Sequence, residues 1–119
     1  MPSDIPGTLV SKINRKQTFR KMALQNPIIN NEKHLRFETE VDGEFAFVDY
    51  RFYKGDIAFM HTFVPEAIRG KGIAAELVKF VLEYAKEKNR KIMVYCPTIA
   101  KYIQTHPEYD SLIDKQYQQ

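Results

Sequence analysis

The run Arg69-Gly70-Lys71-Gly72-Ile73-Ala74 combines residue types suited to holding an anion. Residues 56–64 upstream alternate as a strand, and residues 73–88 downstream carry apolar residues at helical spacing. Two glycines at a strand-to-helix junction let the backbone approach a ligand and turn its N–H groups outward. Together with the positive end of the helix dipole, those groups favour phosphate. Arg69 and Lys71 supply charge of the matching sign. The run is not a Walker A loop, because no Ser or Thr follows Lys71. It also lacks the third glycine of a dinucleotide fingerprint.

Other reactive side chains are few. His34, His61, His106 and Cys96 are the soft metal ligands of the chain, and none stand at metal-site spacing, so no metal is expected. His61 lies on the strand before the glycine turn and Cys96 ends the strand after the helix. Alternation places His61 with Ile57, Phe59 and Phe63 on one side of its strand.

The elements that must position these residues are legible from residue 34 onward. Leu35, Phe37 and Thr39 alternate with polar residues, and Asp42-Gly43 is a hairpin turn signal. Ala46, Val48, Tyr50 and Phe52 then share a face, Lys54-Gly55-Asp56 turns again, and the third strand follows. An antiparallel meander of three strands results. The helix buries Ala74, Leu77, Val78, Val81, Tyr84 and Ala85, faces Glu76, Lys79, Glu83, Lys86 and Glu87 to water, and stops at Asn89. Residues 91–96 read as a short buried strand parallel to the third strand of the meander, joined through a right-handed crossover. Residues 98–105 form one more short helix.

A chain of 119 residues fits one domain. With 44% hydrophobic residues it has the material for a core, which excludes a disordered chain. Its formal charge of +3 suits an anionic ligand but lacks the concentrated basic face of a nucleic-acid binder. One cysteine excludes an intrachain disulfide. Without a bilayer-spanning run or secretory segment, a cytoplasmic protein without membrane partners is the expectation. Residues 1–31, with Asp4 against Lys12, Arg15, Lys16, Arg20 and Lys21, read as a basic N-terminal extension. A mitochondrial presequence or an electrostatic attachment to nucleic acid or membrane are its sharper readings. The domain proper is expected over 32–119.

Arg69-x-x-Gly72-x-Ala74 resembles the [Gln/Arg]-x-x-Gly-x-[Gly/Ala] signature of the Gcn5-related N-acetyltransferases (GNAT). The strings His61-Thr62-Phe63-Val64-Pro65-Glu66 and Cys96-Pro97…Tyr102-Ile103…His106-Pro107-Glu108-Tyr109 resemble its small single-domain branch, over about residues 34–112. The resemblance implies a compact α+β fold, a meander leading into a parallel β-α-β unit with a short C-terminal helix. It implies acetyl-coenzyme A as co-substrate, its pyrophosphate on the amides of Arg69, Gly70, Lys71, Gly72, Ile73, Ala74 and Ala75. Its pantetheine arm would pair with the backbone of Phe63 and Val64, and its thioester would enter the gap between the splayed parallel strands.

Within that frame three side chains have two readings each. His61 is either a hydrogen-bonded core histidine or the general base, since larger family members carry a glutamate on this strand and this one has no carboxylate between Ile57 and Val64. Cys96 is either a small buried hydrophobe or a thiol, activated by His61, that accepts the acetyl group. Tyr102 stands where the family often has a tyrosine that protonates the leaving thiolate, or is a phenol packed on the core. The expected function is acetyl transfer to an amine, on a small molecule or on a protein or peptide lysine. The alternative is a coenzyme A-binding module without catalysis, because the chain lacks the strand-borne glutamate and the strands after the fifth. Acceptor and oligomeric state stay open.

Overall fold

The computed structural model describes residues 26–117. The readings of the basic segment over 1–25 therefore lie outside the described residues. Five strands form one sheet in the order β1-β2-β3-β4-β5. They are β1 (Ile29–Asn31), β2 (Arg36–Val41), β3 (Glu44–Tyr53), β4 (Asp56–Phe63) and β5 (Ile92–Val94). Helix α1 (Ile73–Glu87) crosses from β4 to β5, α2 (Pro97–Thr105) follows β5, and a 3-10 helix (Pro107–Leu112) closes the domain. The α+β class and the β-α-β unit expected from the sequence are both present: β4 and β5 pair in parallel, and the other pairs are antiparallel.

Both hairpins follow from their turn residues. Asp42 and Gly43 have φ of 52° and 81°, and Lys54 and Gly55 have φ of 51° and 89°. Two successive positive φ values give the turn whose twist matches paired strands. Helix α1 ends as its sequence indicates: Lys88 N–H bonds the Tyr84 carbonyl at 2.9 Å, and Asn89 then turns left-handed with φ of 58°. An amide side chain tolerates that conformation better than most.

Helix α1 lies on one face of the sheet. Phe37, Val41, Ala46, Val48, Tyr50, Ile57 and Phe59 from the strands are buried against Ile73, Leu77, Val78, Val81, Leu82 and Ala85. Phe37 anchors this layer, with ring centroids 5.0 Å from Tyr50 and 4.9 Å from Tyr84. Removing side chains of this size from water contributes about 1.5–3 kcal/mol each. Ile99, Ile103 and Tyr109 extend the same core, and the Tyr109 hydroxyl donates to Glu83 at 2.6 Å. Burial and then the Glu83 carboxylate raise the Tyr109 pKa, so this clasp stays protonated. Ala74 and Tyr84 are only half-buried, and Leu82 takes a core position absent from the sequence reading.

Three features depart from expectation. Strand β1 pairs Ile29 with Glu38 and Asn31 with Arg36, so the sheet extends into the segment read as an extension. Three residues give too little alternation to register as a strand. Phe52, expected on the core face, is 54% exposed, its ring set edge-on against Tyr50 with Arg90 over it at 5.3 Å. The third departure is a bulge in β4. Tyr50 pairs with Phe59 but Asp49 pairs with His61, which leaves Met60 as an extra residue. One inserted residue swaps the faces of everything beyond it.

Candidate functional site

The bulge decides where each candidate points. Residues directly opposite on paired strands share a face. Phe59 opposes core Tyr50 and is buried, whereas His61 opposes Asp49 and Phe63 opposes Phe47 on the face turned away from α1. His61 and Phe63 thus do not lie with Ile57 and Phe59, as simple alternation requires. The imidazole is 77% exposed, which removes the reading of His61 as a core histidine. Asp49 holds it from two sides: its Oδ1 accepts the His61 backbone N–H at 2.8 Å and lies 3.5 Å from Nδ1. Sequence pattern gives no sign of Asp49, because the pairing that brings it to His61 exists only across the bulge.

Thr62 takes the inward position that alternation gives His61. Its hydroxyl lies 3.2 Å from the Cys96 sulfur. Cys96 is 2% exposed and sits at the N-cap of α2, its carbonyl accepting the Ala100 N–H at 3.1 Å. His61 and Cys96 therefore face opposite sides of the sheet, and the group that meets the thiol is Thr62. Activation of Cys96 by direct contact with His61 does not fit this arrangement.

A cleft of about 310 Å³ opens beside Thr62. Phe63, Val64, Arg69, Gly70, Gly72, Ile73, Ala74, Ala75 and Thr98 complete its lining. Gly70 and Gly72 have φ of 85° and 78°, and nothing lies within 4 Å of where a Cβ would stand on either. Their requirement is conformational rather than spatial, since side-chain-bearing residues adopt this region at a cost. Gly72 is the N-cap of α1 and has no side chain to cap it. The first helical bond runs from Glu76 N–H to the Gly72 carbonyl at 3.1 Å. The amides of Ile73, Ala74 and Ala75 precede it at the electropositive end of the helix, toward the cleft. Such a cradle fits a phosphorylated ligand.

The two flanking cations have protein partners. Arg69 donates from Nε to the Val64 carbonyl at 2.9 Å, bridging the end of β4 to the glycine turn. Lys71 does not line the cleft; its Nζ pairs with Asp42 Oδ2 at 3.0 Å, tying the turn to the β2–β3 hairpin. Tyr102 does not line it either. Its ring stacks on His106, with centroids 3.9 Å apart and planes 4° from parallel. Burial, then the charges of Glu108, Glu76 and Glu83, raise its pKa. The packed-phenol reading accounts for everything Tyr102 touches. Among the described residues no cluster of His, Cys, Asp or Glu is arranged to hold a metal ion, and no helix is long and apolar enough to cross a membrane.

Comparison with known proteins bears on the family and the fold. The protein NATD1 of Xenopus tropicalis is 31% identical over 81 residues, spanning 66% of this chain and 74% of that protein. Human protein NATD1 is 39% identical over 51 residues, 43% of this chain and 45% of that one. The solution structure of a GCN5-like protein from Staphylococcus aureus superposes with a TM-score of 0.55 at 28% identity, covering 67% of this chain and 81% of that one. The family model of the GCN5-related N-acetyl-transferases matches residues 36–112, which contain the bulged strand, the glycine turn and Cys96. The chain belongs to the GCN5-related N-acetyltransferase family.

Proposed function

We propose that the protein transfers an acetyl group from acetyl-coenzyme A to an amine. The observation that carries this reading is the cleft itself. A left-handed glycine turn and the open end of α1 meet the free edge of β4 at Phe63 and Val64. The amides from Arg69 to Ala75 would hold the pyrophosphate, and the backbone of Phe63 and Val64 the pantetheine arm. The donor supplies an activated acyl thioester at the end of that arm.

The chain's own residues then divide by face. His61, turned to Asp49 through Nδ1, has Nε2 as its second basic site on the open face. There it takes the proton from the attacking amine. Cys96, across the strand at the N-terminus of α2, is buried behind Thr62, which lines the cleft. The open face beside His61 leaves room for an amine carried on a small molecule or on a peptide.

Incubation with acetyl-coenzyme A and a panel of amines, followed by release of free thiol, tests this reading. Turnover on at least one amine is the expected result. Coenzyme binding with no turnover on any amine or protein would instead favour the binding module. A Gly72→Val substitution should weaken coenzyme binding at least tenfold, since a β-branched residue resists φ near 78° and the amides of the turn would move. Thermal shift with coenzyme A reads that loss, because ligand at 100 times Kd adds about 2.7 kcal/mol of stability.

A further inference from the structure

Ordinary alternation puts Thr62 on the open face and gives it nothing to do. The bulge at Met60 turns it instead to the helix side, opposite fully buried Val48. It there lines the cleft between the edge of β4 and Thr98, with its hydroxyl 3.2 Å from the Cys96 sulfur. The two groups are unequal partners. A hydroxyl oxygen is the better acceptor, and a buried thiol has its S–H to place; sulfur accepts only weakly. The arrangement that satisfies both has the Cys96 S–H donating to Thr62 Oγ1. The hydroxyl proton then points to a third partner, and the open space beside it is the cleft.

Resting on the donor site proposed above, we propose that Thr62 donates a hydrogen bond to the carbonyl oxygen of the bound acyl thioester and that Cys96 positions the Thr62 hydroxyl. A donor aimed at that oxygen gains strength as negative charge develops there during attack. Cys96 on this reading forms no bond to the acetyl group. The acetyl group passes directly from coenzyme sulfur to amine nitrogen; the amine proton goes to His61, and the coenzyme leaves as its thiolate, which takes a proton from water.

Titration calorimetry with acetyl-coenzyme A and with coenzyme A tests the assignment without turnover. The wild-type protein should prefer the acetylated form. Thr62→Val, which keeps the shape and β-branching, should weaken acetyl-coenzyme A about five- to tenfold and leave coenzyme A unchanged, as expected for one hydrogen bond. Thr62→Ser should restore the preference. Cys96→Ala should lower it by a smaller factor, about two- to threefold, because the hydroxyl loses its anchor. An unchanged preference in Thr62→Val overturns the proposal. So does an acetyl group on Cys96 in the intact mass of protein quenched after mixing with the donor. If the wild-type protein binds neither form, the donor site falls as well, whereas coenzyme binding without any preference removes only the role of Thr62.

Discussion

The two halves of β4 are built from similar residues and end in opposite conditions. From Asp56 to Phe59 every residue is buried, with β3 paired on one side and β5 on the other. The last tie to β5 is the Tyr95 N–H on the Phe59 carbonyl at 3.0 Å. From Met60 to Phe63 the strand keeps β3 alone, its residues lie half-buried or exposed, and the side toward β5 opens into the cleft. Burial determines the first half. The second half is shaped by one misaligned residue and the Asp49 carboxylate that accepts the His61 amide. Stability and the proposed chemistry are thus separated along a single strand, within a few residues of each other.

That separation predicts a crossed pair of effects. Phe59→Ala empties a fully buried site and should cost about 3–5 kcal/mol in chemical denaturation. His61→Ala, at an exposed position, should change stability by less than about 0.5 kcal/mol yet lower turnover by about 10²–10⁴. Equal stability losses at both positions would erase the contrast.

A smaller effect is expected from Asp49→Ala, which removes the acceptor that steadies the bulge. Water reaches this face, so the cost should be about 1 kcal/mol. Turnover should fall more than stability implies, with kcat affected more than KM. A turnover loss no larger than that of an unrelated exposed substitution would detach Asp49 from His61.

A pH-dependent effect concerns the closed half. Asp56 begins β4 buried, with one carboxylate oxygen lacking a hydrogen-bond partner. Burial, then the hydrogen bond and charge of Asp114, push its pKa up to about 6, against some relief from Lys91. A folded pKa above the unfolded value means that the folded state holds the proton more tightly. Its contribution is therefore fully present below about pH 4, is lost as pH rises to about 6, and is level beyond. Asp56→Asn should remove this slope, so that the variant gains on the wild-type protein between pH 4 and pH 7 in melting temperature. A constant difference across that range would show that the carboxyl does not titrate there.

Much of this arrangement is legible in the residues. Turn chemistry at Asp42-Gly43 and Lys54-Gly55, the helical period of α1 and the stop at Asn89 are local signals, and local signals survive folding. The glycine turn is equally local, and a cleft lined by Phe63, Val64, Arg69, Gly70 and Gly72 opens beside it. The bulge is not local. Nothing in Phe59-Met60-His61 marks Met60 as the residue to be skipped, because the skip is defined by the partner strand. The misplaced faces of His61 and Phe63 both descend from that one event, which also brings Thr62 inward. Strand β1 is too short to show alternation, and spacing alone does not mark the stacking of Tyr102 on His106.

The site depends on parity as much as on residue identity. Each of the residues around the gap keeps its type whether Met60 is skipped or paired, but only with Met60 skipped does His61 turn outward and Thr62 inward. Flattening the bulge, so that Met60 itself paired with Asp49, would change no reactive group. It would exchange the two, putting an imidazole against the thiol and a hydroxyl in the solvent. A family built on this strand has a route to new chemistry that passes through strand register rather than substitution.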